Sequence, residues 1–468
     1  MKDLSTYKNY FLAVTVTGNF IAVLESSTVN VALYEIAKSF SISLNEVQLV
    51  TSVYILVFTA FLPLFGKLSD LVDRNKLYAF GFLLFGLGAF FNTISINFPM
   101  LLVSRCVEAI GGAVLISNSA ALITLMFKGE KRGSALGVIG ASVALGGISG
   151  PAVSGALIQY FGWHTVFIPS AVVGLIGTLT SLKYIPSFKV QQKKFKNTNL
   201  DILGFIYFVI ALFSIFSVLA CYKNVSFVKN HALFLSIISL IFWLLFYKRE
   251  SNCKNPLINL SLFKNMTFSL GCFALLLWFI TAYAHCLLFP FTLQETLGYK
   301  PLVTGLLMLP FSVMVMIVAP FSGKHAGKHL NTRITIVGAS VYFIGFSLLL
   351  FLKPDLSIWV LILSSLIMGI GNGMFQSPSN TVLMSAVPKD EVGTASGLLS
   401  LARNSGMIFG IAFALGIFDF VKNYLLTLKT DYNLSCIFAF KSTVFACLLT
   451  ILITGISLYV SYLSQKRS

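Results

Sequence analysis

Six ionisable side chains stand inside otherwise apolar stretches: Glu25, Arg105, Glu108, His285, Arg403 and Asp419. Taking such a group out of water and into a membrane costs a few kcal/mol or more, so each is a candidate for function. Glu25 is followed by Ser26, Ser27, Thr28 and Asn30 and has no basic residue within helical reach in its own stretch. A carboxyl in that setting can take a proton from one side and release it on the other. Deprotonated, it attracts a cation, so proton and cationic cargo would compete for one group. The plainer alternative is a carboxyl that hydrogen-bonds to neighbouring Ser and Thr and only holds helices together. Arg105 and Glu108 are three residues apart and share a helix face. They either neutralise each other as an intrahelical ion pair or make a second titratable site governed by Arg105. His285, close to Tyr283, reads as hydrogen-bonded structure or as a relay, and Asp419 falls at a helix end.

These side chains need long apolar helices to hold them. The chain has 468 residues, 57% hydrophobic and 10% charged, with a mean hydropathy of +0.87. An average soluble chain is about 45–50% apolar and about 25% charged. Composition therefore excludes a soluble enzyme and a secreted disulfide module, and the seven cysteines show no metal-ligand or disulfide spacing. A helix crosses the hydrocarbon core with about 20 mainly apolar residues. Such stretches lie near 9–33, 47–68, 77–96, 99–127, 134–158, 164–184, 200–221, 230–248, 267–292, 301–322, 333–352, 356–385, 392–420 and 438–464. The reading is an all-α integral membrane protein of 14 transmembrane helices grouped six, two and six. Residues 1–184 form an N-terminal six-helix half. Residues 185–266 hold a basic loop, two additional spans and a linker, and residues 267–468 form a C-terminal six-helix half. The first apolar run is too long for a signal-peptide core and is expected to remain as span one.

Charge placement orients the chain. Of its 33 Lys and Arg, 23 fall in segments that are cytoplasmic if the N-terminus is, and 8 in outer segments. That is the positive-inside bias, which places both termini in the cytoplasm. The basic charge then faces anionic inner-leaflet lipid, Lys189 to Lys196 included, and leaves no support for nucleic-acid binding. The loop Gly66-Lys67-Leu68-Ser69-Asp70-Leu71-Val72-Asp73-Arg74-Asn75-Lys76 has a weaker echo in Gly323-Lys324-His325-Ala326-Gly327-Lys328-His329. Related loops at matching places in two six-span sets indicate a duplicated transporter fold.

The first of these loops resembles the G-x-L-a-D-r-x-G-R-R/K signature of the major facilitator superfamily through Gly66, Leu68, Asp70, Arg74 and Lys76, with Asp73 where the family usually has Gly. A carboxylate at a helix end beside Arg and Lys suits a gate, because such a cluster costs little to break at a wet interface. Gly146-Gly147-Ile148-Ser149-Gly150-Pro151-Ala152-Val153-Ser154-Gly155 resembles the G-x-x-x-G-P-x-x-G-G antiporter motif, with Ser154 replacing one Gly. Small residues at this spacing let helices approach closely, and Pro151 bends the span. Leu24 to Leu33 is similar to the L-D-x-T-x-x-N-x-A-L-P pattern of the fourteen-span drug:proton antiporter branch, with Glu25 in the acidic place and Asn30 in the Asn place. Asn255 to Asn265 resembles the N-P-L-I-D-x-x-L-F-K/R loop of the same branch. Arg105-x-x-Glu108 resembles the R-x-x-Q-G motif of its proton-driven members, with Glu108 for Gln and Ala109 for Gly.

The resemblance implies two six-helix halves around a central cavity and proton-coupled export of lipophilic or cationic drugs by alternating access. Glu25, Arg105 and Glu108 would couple protons. Asn30, His285, Gln376 and Arg403 would be candidate cavity residues, and Gly369-Ile370-Gly371-Asn372-Gly373 a broken, cavity-lining segment. The same motifs also serve dedicated exporters of one metabolite, siderophore, lipid or peptide. The chain lacks a phosphate-cradling G-x-x-x-x-G-K-S/T loop, an HExxH and a nucleophile elbow, so it reads as no enzyme, needing no cofactor or metal and driven by an ion gradient. Its expected partners are a small lipophilic substrate, protons and the lipid of a plasma membrane, and its expected state is a monomer.

Overall fold

The structure is a computed structural model that describes residues 4–127, 130–186, 201–221, 226–253, 260–324, 328–353, 358–387 and 392–467. In lipid, every backbone N–H and C=O must find a partner within the chain, and long apolar runs meet that need as helices. Fourteen helices of 17 or more residues result among the described residues. They are α1 (Leu4–Phe40), α2 (Leu49–Leu71), α3 (Arg74–Thr93), α4 (Phe98–Met126), α5 (Glu130–Phe161), α6 (Ile168–Tyr184), α7 (Ile202–Cys221), α8 (Ser226–Asn252), α9 (Met266–Glu295), α10 (Pro301–Lys324), α11 (Lys328–Ser347), α12 (Ile358–Ser385), α13 (Val392–Thr427) and α14 (Tyr432–Arg467). Twelve of them are long and apolar enough over their described residues to cross a membrane. The other two, α5 and α7, stand where the fifth and seventh spans are expected, α7 being apolar from 202 to 218. No strand occurs among the described residues.

Short polar residues start the helices. Asp73 accepts from the Asn75 amide at 3.1 Å to cap α3, and Asn97 accepts from the Met100 amide at 2.9 Å to cap α4. Asp73 is thus a helix cap at the place where the family pattern has Gly. The expected broken segment in α12 is a correction: α12 is continuous from Ile358 to Ser385, and Gly369, Gly371 and Gly373 meet α10 and α11 instead of opening the helix.

The chain divides into two compact units, residues 1–258 and 259–468. In unit 1, α1 packs on α5, α2 on α4, and α3 on both α4 and α6. In unit 2, α9 packs on α13, α10 on α12, and α11 on both α12 and α14, which is the same pattern eight helices later. The pair α7–α8 belongs to unit 1 and touches α2, with Phe61 and Phe205 in an edge-on contact of 5.4 Å. Asp201 ties the pair together: it accepts from the Gly204 amide at 3.0 Å and from Arg249 Nε at 3.1 Å. Burial disfavours its charged form, yet the Arg249 and Gly204 hydrogen bonds outweigh that and hold its carboxyl below the usual range. The stabilisation from this tie is therefore present above the ordinary carboxylate pKa and is lost as pH falls through the lowered value.

Two glycines set the helix spacing on which the site depends. A Cβ on Gly88 would lie 2.6 Å from Glu108 Cα, and one on Gly345 would lie 2.7 Å from the Met368 amide nitrogen. Both contacts are with backbone, so the helices would have to separate. Gly88→Ala and Gly345→Ala are each expected to cost about 1–3 kcal/mol, the usual range for overpacking, and to lower the melting temperature of the purified protein. A melting temperature unchanged in both variants would show that these helices are not in direct contact.

Candidate functional site: a buried charge cluster in the first unit

Glu25 from α1 and Arg105 and Glu108 from α4 meet in one cluster. Arg105 Nη1 lies 3.0 Å from Glu25 Oε1 and 2.6 Å from Glu108 Oε2, with relative exposures of 1%, 1% and 0% for Arg105, Glu25 and Glu108. The second oxygen of Glu25 accepts from the Ser170 hydroxyl on α6. Glu108 Oε2 also accepts from Asn92 Nδ2 on α3 at 2.6 Å. Arg105 Nε donates to the Val50 carbonyl on α2 at 3.3 Å, and its guanidinium lies 4.2 Å from the Tyr54 ring centroid. Five helices therefore contribute a partner.

The geometry bears on the ion-pair reading of Arg105 and Glu108. The pair exists, but Arg105 is shared with Glu25, so the absence of a partner for Glu25 in its own helix is made good from α4. With both carboxylates ionised the cluster carries one net negative charge, and a single proton makes it neutral. Glu108 Oε1 is buried and has no hydrogen-bond partner among the described residues. Asn92, Ser170, Tyr54 and the Val50 carbonyl were not foreseen from the sequence. Asn92 had a usable signal, as an amide at the end of the apolar run of α3, whereas Ser170 is one of many serines in apolar helices.

The other sequence-predicted residues form separate features. Ser69 Oγ donates to the Gly66 carbonyl at 2.7 Å, and Arg74 Nε donates to the Ser69 carbonyl at 2.9 Å, which closes the turn between α2 and α3. Lys76 follows in the first turn of α3. The Asp70 side chain, residues 325–327 of the second loop, the basic segment Lys189–Lys196 and residues 255–259 of the 255–265 loop lie outside the described residues. In α5, a Cβ on Gly146 would lie 2.7 Å from the Phe20 carbonyl, Gly150 abuts Ser27, and Pro151 and Gly155 are buried. Ser154, the departure from the motif, donates to the Thr28 carbonyl at 2.7 Å and so joins α5 to α1 in its own way. Asn30 is buried, with Thr51 Oγ1 3.5 Å from its Oδ1.

In unit 2 the candidates have different neighbours. Trp278 Nε1 donates to Asn372 Oδ1 at 2.9 Å, and Gln376 Nε2 reaches the same oxygen at 3.4 Å. His285 lines a small apolar cavity with Leu288, Phe346, Thr443 and Cys447, and its Nδ1 has no hydrogen-bond partner among the described residues. Arg403 stands over the Phe279 ring at 5.3 Å.

The matching glycine contacts allow the two units to be compared residue by residue. Gly345 abuts Met368 as Gly88 abuts Glu108, and Ser365 donates to the Leu307 carbonyl at 3.2 Å as Arg105 donates to that of Val50. Gly406 and Gly410 meet the carbonyls of Leu276 and Ile280 as Gly146 and Gly150 meet those of Phe20 and Leu24. These contacts align Glu25 with Thr281, whose hydroxyl lies 2.6 Å from that of Thr450. The second copy of the site is therefore neutral: Thr, Ser and Met stand where Glu, Arg and Glu stand in the first. Removing Arg105 leaves two carboxylates buried without a counter-charge. Arg105→Ala is expected to cost about 3–5 kcal/mol and to depress the melting temperature far more than Glu108→Gln, which keeps the Glu25–Arg105 pair. Equal melting temperatures for the two variants would refute the shared-guanidinium description.

Comparison with known proteins agrees with this architecture. The Riboflavin transporter RibZ of Clostridioides difficile (strain 630) is 31% identical over 402 residues, 86% of either chain. The Multidrug resistance protein Stp of Mycobacterium tuberculosis (strain CDC 1551 / Oshkosh) is 29% identical over 404 residues, 86% of this chain and 74% of that one. Among solved structures, a bacterial homolog of the human lysosomal transporter Spinster, inward-facing and occupied, superposes with a TM-score of 0.68 over 97% of both chains at 14% identity, a likeness of fold. The profile of the Major Facilitator Superfamily matches residues 15–411, and the chain belongs to that superfamily of membrane transporters.

Proposed function

We propose that the protein is a proton-coupled antiporter that exports lipophilic drugs or other toxic compounds, cationic ones included, from the cytoplasm by alternating access. The observation that carries this reading is the buried cluster of Glu25, Arg105 and Glu108, which with both carboxylates ionised is one proton short of neutrality. A buried net charge is costly, so a cluster that gains and loses one proton has two states of different charge, and a difference of that kind can bias a conformational equilibrium. Glu108 Oε1, buried without a donor, is the position we assign to the exchanged proton. Multidrug relatives such as Stp and the antiporter-like sequence of α5 support the export direction.

In this reading all fourteen helices cross the plasma membrane, with both termini in the cytoplasm. Residues 1–184 and 267–468 are the two moving halves around a central cavity, and residues 185–266 carry the inserted pair. The loop with Gly66, Asp70, Arg74 and Lys76 acts as the gate, and the monomer is the working unit. RibZ, with 86% of either chain matched, supports a second reading, a dedicated carrier of one heteroaromatic metabolite.

The test is reconstitution into liposomes with a trapped pH indicator and a panel of cationic, neutral and anionic aromatic compounds. Proton movement that follows addition of several unrelated compounds supports multidrug antiport. A response to one compound alone would replace it with the dedicated carrier, and no proton movement with any transported compound would refute coupling. Glu108→Gln and Glu25→Gln should each abolish proton movement. Cargo binding should survive in Glu108→Gln, whose remaining pair is neutral without a proton.

A further inference from the structure

Unit 2 carries one half-buried charge, Arg403, that no described acceptor answers. Arg403 lies well inside α13, and its Nε is enclosed with no hydrogen-bond acceptor. Among the described residues it makes no ion pair and no hydrogen bond; its contact is with the face of Phe279 on α9, at 5.3 Å. Tyr283, one turn further along α9, is close enough to interact electrostatically with the guanidinium. The described carboxylates of this unit are engaged elsewhere. Glu295 accepts from Tyr432 Oη at 2.6 Å, Asp419 lies 3.8 Å from Lys422, and Asp431 accepts from the amides of Asn433 and Leu434.

The fold itself does not require a cation here. Gly406 and Gly146 make equivalent contacts in the two units, and the residue three before each is Arg403 in unit 2 and Val143 in unit 1. An apolar side chain serves at the equivalent place. Gly406 also brings α13 against α9, with a Cβ there lying 2.9 Å from that of Phe279, so the aromatic face beside Arg403 is held by backbone contact. A guanidinium whose enclosed Nε has no described acceptor, standing over a ring, is the complement of an anion carried on a flat aromatic system.

We propose that Arg403 binds the cargo, and that the group it binds is the anionic end of an aromatic organic acid such as a carboxylate, with the ring against Phe279 and Tyr283. The assignment rests on the transporter reading above and narrows its cargo. Two fluorescent dyes that share one xanthene ring but differ in charge provide the probe: fluorescein, anionic above neutral pH, and rhodamine 123, cationic. Binding to the full-length protein in neutral detergent is followed by fluorescence anisotropy for wild type, Arg403→Gln and Arg403→Lys, with the melting temperature of each recorded.

Wild type should bind fluorescein at least about tenfold more tightly than rhodamine 123, the least a charge-assisted hydrogen bond provides. Arg403→Gln should lose that preference without weakening the cation, and Arg403→Lys should keep part of it. Arg403→Gln should also melt no lower than wild type, since it removes a half-buried charge that no described acceptor answers. Equal loss of both dyes together with a lower melting temperature would make Arg403 a structural residue and overturn the proposal, as would binding of neither dye. Abolition of fluorescein binding by phosphatidylglycerol, with no fluorescein transport in liposomes, would assign Arg403 to a lipid headgroup and overturn it too. Arg403-dependent binding of fluorescein with no pH-driven movement would refute proton-coupled transport and leave the site standing. Movement of fluorescein unaffected by Arg403→Gln would refute the site and leave coupling intact.

Discussion

A single guanidinium shared between two buried carboxylates is the interaction on which the first unit depends. Arg105 cannot leave this position cheaply, because each carboxylate it abandons would be an uncompensated charge in a low-dielectric interior. The constraint spreads outward. Glu108 must sit where Asn92 can reach it, which requires α3 and α4 to touch at Gly88. Glu25 must face α4 and α6 together, which holds α1 against both. The helices of this unit are therefore positioned as much by charge as by apolar packing, in a setting where lipid gives no hydrophobic drive for one helix to prefer another over the acyl chains.

The duplicated fold makes the function of this charge easier to see. Both units use the same helix pairings and the same glycine contacts, yet only the first has the Glu–Arg–Glu set; the second places Thr281, Ser365 and Met368 at the aligned positions. If the cluster were needed simply to assemble six helices, its neutral copy would not suffice in the second unit. The hydroxyls of Thr281 and Ser365 still make helix-to-helix hydrogen bonds, to Thr450 and to the Leu307 carbonyl. Structural cohesion thus has an uncharged solution in this fold, so cohesion alone does not explain the charged set of the first unit. A proton-dependent change of charge is the chemistry that the uncharged set lacks.

Much of this was legible before any coordinates. Apolar runs of spanning length located the fourteen long helices, because in lipid length and hydropathy leave the backbone few alternatives. Arg105 and Glu108 were placed on one face by their spacing alone. The link between Glu25 and Arg105 was not legible, since it joins residues 80 positions apart through the crossing of α1 and α4. Ser170 escaped for the same reason. The glycines of α12 were misread as a break, because a glycine that opens a helix and a glycine that lets another helix approach look identical in sequence; only the neighbour at Gly371, Tyr342 on α11, separates them. Asp73 looked like an intrusion into the loop pattern and is a cap, a role fixed by where α3 begins.

With both carboxylates of the first cluster ionised, the charges left over in the two units would have opposite signs, and this bears on how exchange would be organised. Competition of proton and cationic cargo for one carboxyl, the simplest scheme suggested by Glu25, needs a carboxylate without a permanent counter-ion. Glu25 has one in Arg105 and a hydroxyl donor in Ser170. What remains in the first unit is a deficit of one proton, and in the second an excess of one positive charge at Arg403. Proton and cargo anion would then neutralise different groups instead of displacing each other from the same one. Coupling in that arrangement cannot come from competition. It must come from differential affinity of each ligand for the two conformations of the transporter, which is a reciprocal coupling free energy. A cycle built this way can discriminate cargo at one unit and harvest the proton gradient at the other, so cargo selectivity and proton coupling could change independently on one fold.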